Sequence, residues 1–247
     1  MRFRWATHHK IGNFKVKMKK KKLVALTGAG ISAESGIATF RDSDGLWEHY
    51  SVEEVASAEG YRRNPKLVID FANDRREQCV NAQPNQGHKL LAELEKEYDV
   101  TVITQNIDDL HERAGSSHII HLHGELMKCC SEQDLSTPLS LPEGRLRMTT
   151  EDRDAQGHRL RPFIVYFGEP VPRMEDAVRE VETADIFVII GTSLNVYPAA
   201  GLVQFVPRGT PIYLIDPKDV PGSSQFVHIK MGAGKGMAEL INKLHNS

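Results

Sequence analysis

Short runs of apolar, β-branched residues recur along this 247-residue chain and limit the folds that it can adopt. Helical patterns, such as 86–98 and 174–183, lie between several of these runs and place apolar side chains on one side. Buried strands that alternate with helices predict an α/β fold with a doubly wound parallel sheet, in which ligands bind beyond the carboxyl ends of the strands. The runs that predict strands are 23–27, 100–104, 118–122, 163–167, 186–190 and 212–215.

The chain length suits one large domain, and two segments differ from the rest. Residues 131–160 have no sustained hydrophobic period and contain two prolines and two glycines, which indicates an inserted small lobe or a long loop. Residues 1–22 carry nine Lys and Arg and no acidic residue, so we expect a disordered basic extension and assign it no function. The expected organisation is a domain at 23–247 with a small lobe around 125–162.

Composition narrows the expected location and partners. No stretch approaches the roughly 18 consecutive apolar residues that cross a bilayer, and the N-terminus lacks an apolar core followed by a cleavage site. Three cysteines are too few and too poorly spaced for a disulfide framework, which is consistent with a reducing compartment. We therefore expect a cytoplasmic protein with no membrane partner and no specific nucleic-acid partner. The oligomeric state stays open, with a monomer favoured.

A glycine-rich segment, GAGISAESG at 28–36, directly follows the first predicted strand. Glycine lets backbone N–H groups approach a pyrophosphate closely, and the N-terminus of the following helix favours negative charge. A tight strand-to-helix turn without a ligand is the alternative. A dehydrogenase would next supply a second strand that ends in an acid about 20 residues further on. Because 39–47 reads TFRDSDGLW, which is not a strand, hydride transfer is disfavoured.

Polar residues follow two further predicted strands. The segment TQNID occupies 104–108, and His123 comes directly after the strand at 118–122. Amides and a carboxylate suit a ribose and a carboxamide, while a histidine at a strand end can take a proton from a hydroxyl near neutral pH. The alternative for His123 is a capping or core role, which is common for this residue type.

Six segments together resemble the sirtuins, the NAD-dependent protein deacylases. They are GAGIS, TFRDSDGLW, TQNID, LHG, FGE and GTSLNVYP, which stand in the family order over roughly residues 23 to 240. The resemblance implies a Rossmann-like sheet, NAD consumed as a co-substrate and acyl-lysine peptides or proteins as partners. The implied products are free lysine, nicotinamide and O-acyl-ADP-ribose.

The resemblance also implies roles for individual residues. His123 matches the general base, which activates a ribose hydroxyl after the acyl oxygen has attacked C1′ and nicotinamide has left. The positions that match NAD-binding residues are Gly28, Ala29, Gly30, Ser32, Phe40, Arg41, Gln105, Asn106, Ile107, Asp108, Gly191, Ser193, Asp216 and Ala233. The positions that match substrate-binding residues, including the edges that hold a peptide as an added β-strand, are Ala56, Ala72, Arg75, Phe167, Gly168, Glu169, Leu194 and Val196.

Asp216 stands where the family commonly has asparagine, at the end of the predicted strand 212–215. A carboxylate there can accept a hydrogen bond from the adenosine ribose and repels a 2′-phosphate, which favours NAD over NADP. An Asp-Pro turn is an equally good interpretation, because Pro217 follows directly.

The small lobe departs from the family in its cysteines. Many sirtuins hold a structural zinc with two Cys-x-x-Cys pairs, whereas this segment offers only the adjacent Cys129 and Cys130 and no later cysteine. Two neighbouring thiols with His158 make a poor tetrahedral site. We therefore expect no zinc and a lobe that folds without metal.

The expected acyl pocket departs from the family in one residue. Residues 54–60 and 71–75 resemble the bacterial subgroup that removes succinyl and malonyl groups, whose mark is a Tyr-x-x-Arg pair that binds the acyl carboxylate. Arg75 fits, while Ala72 replaces the tyrosine and would leave extra volume beside the guanidinium. A weakened desuccinylase or demalonylase activity beside deacetylation is the expectation. The alternative for Arg75 is a surface ion pair with Asp74 or Glu77.

Two other functions stay open at the level of sequence. One is transfer of ADP-ribose to a protein, which needs the same NAD site and a different nucleophile. The other is a non-catalytic module that binds a dinucleotide or FAD without turnover, although such a module would need neither His123 nor the segment 106–108. Protein targets, the preferred acyl group and whether Ala72 is natural do not follow from the sequence.

Overall fold

The main sheet contains six parallel strands in the order β3-β2-β1-β7-β8-β9, in a computed structural model that describes residues 19–38 and 51–246. The doubly wound parallel sheet is thereby confirmed. The strands are β1 (Lys22–Thr27), β2 (Asp99–Thr104), β3 (Ile119–His121), β4 (Gly124–Ser131), β5 (Asp134–Ser140), β6 (Leu160–Ile164), β7 (Ile186–Ile190), β8 (Ile212–Ile215) and β9 (Val227–Ile229).

Helices cover both faces of this sheet. The helices of the described residues are α1 (Ala29–Ser32), α2 (Val52–Val55), α3 (Ala58–Arg63), α4 (Pro65–Asn81), α5 (Gln86–Glu93), α6 (Leu110–Ala114), α7 (Met174–Val181) and α8 (Ala233–His245), with 3-10 turns at Ala33–Ser35, Leu94–Lys96, Pro142–Gly144 and Ala199–Phe205. Side chains of β1 alternate between the faces: Leu23 packs in one cluster with Leu91 of α5, and Val24 packs in the other with Ala177 of α7. Burial on both faces explains the continuous apolar runs.

The order of the strands reverses beside β1. The chain runs from β1 outward to β2 and β3, and later returns to the opposite side of β1 with β7, β8 and β9. All neighbouring pairs in this sheet are parallel, so the carboxyl ends of β1 and β7 lie side by side. Ligands of open parallel sheets bind in the crevice at such a reversal.

A second, antiparallel sheet of three strands has the order β5-β4-β6. The strand expected at 163–167 is instead β6, which begins at Leu160 and pairs with β4 outside the main sheet. The segment 131–160, expected to be an inserted small lobe or a long loop, contains β5, whose residues are all exposed and therefore give no apolar signal. This small sheet packs against α3 and α4 through a cluster that includes Tyr61, Ile69 and Tyr166. The domain bounds 23–247 and the lobe bounds 125–162 stay an interpretation.

The sequence of α4 carries a pair of arginines into the interior. Asn64 caps the helix by accepting a hydrogen bond of 3.1 Å from the N–H of Leu67, and Pro65 occupies the first turn. Arg75 and Arg76 are both buried on the inner side. Arg76 joins the helix to β4, because its Nε donates to the carbonyl of Leu126 at 2.7 Å.

Within the described residues, no helix is long and apolar enough to cross a membrane.

The close approach of the loops after β1 and β7 gives a prediction about stability. A Cβ at Gly30 would lie 2.6 Å from Cα of Gly191 and 2.9 Å from its carbonyl oxygen, which are backbone atoms that cannot rotate away. Gly30→Ala should lower the free energy of unfolding by about 1–3 kcal/mol, the usual cost of overpacking. Urea unfolding measures this difference. Gly201→Ala is the control, because its Cβ meets nothing closer than the Tyr197 ring at 4.0 Å. Equal losses in the two variants would contradict the packing argument.

Candidate active site

The segment TQNID crosses the carboxyl ends of the central strands. The N–H of Gln105 donates to the carbonyl of Thr27 at 2.9 Å, which continues the pairing of β2 with β1 by one residue. The N–H of Asn106 then turns back to the Thr104 hydroxyl at 3.0 Å, and that hydroxyl also accepts from the Thr27 hydroxyl at 2.9 Å. The polar loop is therefore held by buried threonines at the strand ends.

The glycine-rich loop packs directly against the loop that follows β7. The N–H of Gly28 donates to the carbonyl of Ile190 at 3.0 Å, and the N–H of Gly30 donates to that of Gly191 at 2.8 Å. A Cβ at Gly28 would lie 2.7 Å from Cβ of Thr192. The glycines thus allow two loops to meet at the reversal of the strand order, and two of their amides are used in doing so. Ala29 begins the helix between them.

Three polar side chains form a buried cluster beneath this crevice. The Ser32 hydroxyl donates to Asp108 Oδ2 at 3.0 Å and accepts from Asn106 Nδ2 at 3.1 Å. The amide of Asn106 also donates to the carbonyl of Gly28 at 3.1 Å. Burial raises the pKa of Asp108 above its ordinary value, although the hydrogen bonds from Leu110 N–H and Ser32 oppose the shift. The cluster therefore ties the glycine loop to TQNID.

His123 lies directly beside this loop. Its Nδ1 is 2.9 Å from the carbonyl oxygen of Gln105, which can only accept, so Nδ1 carries the proton and Nε2 is the basic atom. Burial lowers the pKa of His123 below its ordinary value, although the bond to Gln105 opposes the shift. The imidazole is therefore neutral near neutral pH, as a general base requires.

The residues expected near the adenosine half lie around the ends of β7 and β8 and the start of α8. Gly191 has a φ of +62° and follows β7, while Ser193 is exposed in the same loop. Asp216 Oδ1 accepts from the N–H of Lys218 at 2.8 Å, which is the turn contact that the Asp-Pro interpretation expects. Ala233 is buried at the first turn of α8 and packs in the core. Contacts of these residues with NAD stay a prediction.

The residues expected to hold a peptide differ in what they can offer. The N–H of Phe167 donates to the carbonyl of Ala56 at 2.8 Å, and its own carbonyl accepts from Ala58, so this backbone already pairs on one side. The Phe167 ring is 49% exposed, enough to contact a bound chain. Glu169 instead forms a two-pronged ion pair with Arg161, with N–O distances of 2.6 and 3.0 Å.

The remaining peptide-edge positions lie in turns. Gly168 has a φ of +92°, and Leu194 has a φ of +55°, which is unusual for a residue with a side chain. Both conformations fix the direction of the chain beside Phe167 and after β7. The carbonyl of Val196 accepts from the N–H of Ala200 at 2.9 Å, so Val196 is tied to the 3-10 turn that begins at Ala199.

Arg75 is buried, so its alternative role as a surface ion pair is excluded. Asp74 and Glu77, the partners considered for it, instead bind Arg147. Arg75 Nη1 donates to Gln78 Oε1 at 2.5 Å, and Arg75 forms no salt bridge with any residue of 19–38 or 51–246. Burial lowers the pKa of Arg75, which Cys79 and Asp108 oppose.

Ala72 packs one turn before Arg75 among apolar side chains. It is 2% exposed and shares a cluster with Cys79, Leu110 and Leu126, and Ile107 packs against the same cluster. The structure thus brings Ala72, Ile107 and Asp108 into one region below the crevice. Phe40 and Arg41, like the rest of the segment 39–50, lie outside the described residues.

Sequence reasoning missed several side chains that support this site. Gln105 Nε2 donates to the Thr192 hydroxyl at 3.1 Å, which connects TQNID to the loop after β7. The Thr27 hydroxyl is 3.0 Å from Nε2 of the buried His111. His121 contacts Asn106 and Glu112. Thr27 and Thr192 could have been found from the sequence, because each lies at or just after the end of a predicted strand. Nothing in the sequence indicates that Glu112 contacts His121.

The described geometry defines a Rossmann-like α/β protein with a polar crevice at the reversal of strand order and a basic histidine beside the TQNID loop. The Sir2 family model matches residues 28–198. The chain belongs to the Sir2 family, so the resemblance to the sirtuins is confirmed.

Relatives agree with this membership. The chain is 60% identical over 225 residues to an NAD-dependent protein deacylase of Bacteroides thetaiotaomicron, covering 89% of this chain and 96% of that protein. A Sir2 homologue solved in complex with NAD has a TM-score of 0.82 at 41% identity, covering 92% of this chain and 90% of the other. A Sir2–p53 peptide–NAD⁺ structure has a TM-score of 0.76 at 30% identity, covering 92% of this chain and 95% of the other.

The cysteines of the small lobe do not suit a metal. The Cys129 thiol donates to the carbonyl of Ser140 on β5 at 3.1 Å, whereas Cys130 contacts the carbonyl of Pro162 on β6 at 4.0 Å. Successive strand residues face opposite sides, so the two sulfurs cannot readily share an ion. Burial raises the pKa of both thiols, that of Cys130 to about 12, which opposes the thiolate form that zinc needs. His158 is instead 3.2 Å from Asp154.

The lack of suitable metal ligands among Cys129, Cys130 and His158 predicts that the lobe is stable without zinc. Metal analysis of the purified protein should find far less than one zinc per chain, and a chelator should leave the melting temperature unchanged, because zinc cannot contribute to folding without ligands. The variant Cys129→Ser/Cys130→Ser serves as the control. One tightly held zinc per chain that this variant loses would show that the two thiols do bind metal.

Proposed function

We propose that this chain is an NAD-dependent protein-lysine deacylase in which His123 is the general base. The observation that carries the proposal is the hydrogen bond of Nδ1 to the Gln105 carbonyl, which leaves Nε2 basic beside the crevice. The name of the Bacteroides relative, an NAD-dependent protein deacylase, supports the same activity. The proposed products are free lysine, nicotinamide and O-acyl-ADP-ribose.

The crevice between β1 and β7 suits a dinucleotide. Its floor is backbone of Gly28, Gly30 and Gly191, where a Cβ would collide with the facing loop. We assign the two halves of NAD to this floor, with Gly28, Ala29, Gly30 and Ser32 toward the pyrophosphate. The adenosine half is assigned to Gly191, Ser193, Asp216 and Ala233. Bound NAD supplies an electrophilic ribose C1′ with nicotinamide as its leaving group.

Neutral amides and one carboxylate line the proposed nicotinamide pocket. Asn106 and Asp108 are 8% and 6% exposed, so they act in a medium that screens charge weakly. Positive charge that develops on a sugar is better tolerated beside Asp108 than beside a lysine. Nε2 of His123 then accepts the proton of a ribose hydroxyl. The Gln105 carbonyl holds the ring in the orientation for this transfer.

The proposed acyl specificity includes acidic groups and rests on Arg75. Arg75 as a residue is 7% exposed and forms no salt bridge with the described residues, so its guanidinium lacks charge compensation. The carboxylate of a succinyl or malonyl group provides that compensation through a two-pronged contact. Because Ala72 cannot supply a phenol, the activity on acidic acyl groups is weaker than with a tyrosine, and deacetylation accompanies it.

The location and assembly belong to the same proposal. We propose a cytoplasmic protein that acts as a monomer on acyl-lysine peptides or proteins and has no specific nucleic-acid or membrane partner. The three cysteines are free and buried, which agrees with a reducing compartment.

One incubation with NAD and an acyl-lysine peptide separates the proposed function from its alternatives. A deacylase releases nicotinamide and free lysine together. A protein ADP-ribosyltransferase releases nicotinamide and labels protein while the acyl group stays on lysine. A passive dinucleotide-binding module releases nothing. Nicotinamide without free lysine, or no release at all, would overturn the proposal.

The first prediction for this activity concerns His123. His123→Ala should abolish NAD-dependent deacylation and keep a near-normal melting temperature, because its imidazole faces a crevice and is only partly buried. His158→Ala, at an exposed lobe position, is the control and should keep its activity. Near-normal turnover of His123→Ala would exclude its role as the base.

The pH profile gives a second measurement on the same residue. The base must be neutral, and burial lowers the pKa of His123 below its ordinary value of 6.5. Activity should therefore persist as pH falls through that ordinary value and be lost only at lower pH. A loss centred at or above the ordinary value would contradict a buried base.

The second prediction concerns the acyl group. Arg75→Met should reduce kcat/KM for a succinyl-lysine peptide by about 10-fold to 150-fold, from the loss of roughly 1.5–3 kcal/mol in a charged hydrogen bond. Acetyl and butyryl versions of the peptide should change little. Ala72→Tyr should raise succinyl turnover by a similar factor if its melting temperature is preserved. Arg147→Met, on the surface beside α4, is the matched control. An equal loss for succinyl and acetyl peptides in Arg75→Met would refute carboxylate binding.

A further inference from the structure

Two histidines hold neighbouring carbonyl groups of the TQNID loop. His121 ends β3 and His123 follows two residues later, and both imidazoles face the TQNID loop. Nδ1 of His123 is 2.9 Å from the Gln105 carbonyl, and Nδ1 of His121 is 3.2 Å from the Asn106 carbonyl. The loop that carries the proposed nicotinamide pocket therefore rests on two imidazoles.

His121 differs from His123 at its second nitrogen. Its Nε2 is 2.6 Å from Oε1 of Glu112 on α6. A carbonyl and an ionised carboxylate can only accept hydrogen bonds, while a neutral imidazole has one N–H to donate. Only the imidazolium donates to both partners at once. The side chain of His121 is 8% exposed, so water cannot easily replace either contact.

The charges around His121 favour a cation. Glu112 approaches from α6 and Glu125 from β4. One carboxylate oxygen of each and a ring nitrogen of His121 lie within 4.8 Å of one another. Lys128 of β4 pairs with Glu125 at 2.5 Å, and Asp108 and His111 also face His121 from the loop and from α6. Burial, the largest single effect, lowers the pKa of His121, but the contacts with Glu112 and Asn106 and the charge of Glu125 together outweigh it and raise the pKa.

We propose that His121 is a positioning residue of the deacylase, held as an imidazolium by Glu112 so that it fixes the carbonyl of Asn106 and with it the nicotinamide pocket. This inference rests on the proposed function. When His121 loses its proton, it must give up either Asn106 or Glu112. If the contact with Asn106 is lost, the backbone of Asn106 is no longer held in place. Its side-chain amide, which donates to Gly28 and Ser32, is then less well positioned.

The sign of the pH effect follows from the raised pKa. The imidazolium is fully present at low pH, and its contacts are lost as pH rises through the folded pKa of His121. His123 works in the opposite sense, because its pKa is lowered and its neutral form is the active one. The enzyme is therefore most active between the two, with His121 charged and His123 neutral.

Glu112→Gln tests this arrangement because it removes the need for a charged ring. A neutral His121 can donate from Nδ1 to Asn106 and accept at Nε2 from the new amide. In the natural protein, kcat/KM for NAD should fall by about 10-fold as pH rises through the pKa of His121, the usual cost of one lost hydrogen bond. In Glu112→Gln this alkaline fall should vanish while activity at neutral pH is kept. His121→Phe should lower kcat/KM for NAD at every pH.

Glu97→Gln is the matched control, since Glu97 forms an exposed pair with His245 at 3.1 Å and precedes the amino end of β2, whereas the TQNID loop lies at its carboxyl end. Its pH profile should equal that of the natural protein. An alkaline fall that Glu112→Gln leaves unchanged would overturn the proposal, because a merely structural contact would not alter the profile.

Nuclear magnetic resonance of the ring nitrogens tests the charge of His121 without using activity. Its pKa should lie above the ordinary value of 6.5 and drop in Glu112→Gln. This result would stand even if no deacylation were found, so the failure of the proposed function can be told apart from the failure of this inference. A pKa of His121 at or below 6.5 would overturn the proposal. So would stoichiometric zinc bound by Glu112, His121 and Glu125, because metal requires an unprotonated Nε2.

Discussion

The close packing of two loops at the carboxyl ends of β1 and β7 is the constraint on which the rest of the site depends. Gly30 and Gly191 meet so closely that a single added Cβ would lie 2.6 Å from backbone. Their contact fixes the start of α1, and α1 presents Ser32 to Asn106 and Asp108. The position of the polar pocket therefore depends on Gly30 and Gly191, which lack the Cβ atoms that would push the two loops apart.

Burial then determines how the ionisable groups of the site behave. It lowers the pKa of His123 and raises that of Asp108, in each case disfavouring the charged form. His121 is the exception, because Glu112, together with the Asn106 carbonyl and the charge of Glu125, outweighs the effect of burial and raises its pKa. One protein interior thus holds two histidines, two residues apart, with opposite tendencies. His121 and His123 differ in the partner of Nε2, because Nε2 of His121 contacts the carboxylate of Glu112.

The sequence predicted the parallel sheet well because its strands are buried on both faces. The runs at 23–27, 100–104 and 186–190 match β1, β2 and β7 to within one residue, since every position after the first is apolar or buried. By contrast, β5 is exposed throughout and β9 has three residues, so neither provides an apolar pattern. The strand at β6 was displaced because the apolar run continues past Ile164 into the segment before Phe167.

The site was predictable as a set of residue types at strand ends, but their contacts were not. Gln105, Asn106 and His123 stand out because polar residues follow buried strands. The bonds that orient them run to backbone carbonyls, and the sequence does not specify which carbonyl is near. Ser32 illustrates the limit: its place in the glycine loop suggests a position near the phosphates, but nothing in the sequence shows that its hydroxyl bonds to Asp108 and Asn106.

The adjacent arginines of α4 show why burial alone does not identify a functional charge. Arg76 is fully buried, and its guanidinium donates to the Leu126 carbonyl, to Asn73 and to the sulfur of Met148, so its polar atoms are engaged by the lobe that it anchors. Arg75 donates only to the amide of Gln78 among the hydrogen bonds of the described residues. A buried cation whose donors are largely unused costs free energy unless an anion joins it. The contacts of Arg76 offset this cost within the fold, whereas Arg75 keeps most of its donors available for an anion, which is why the proposed acyl specificity rests on Arg75.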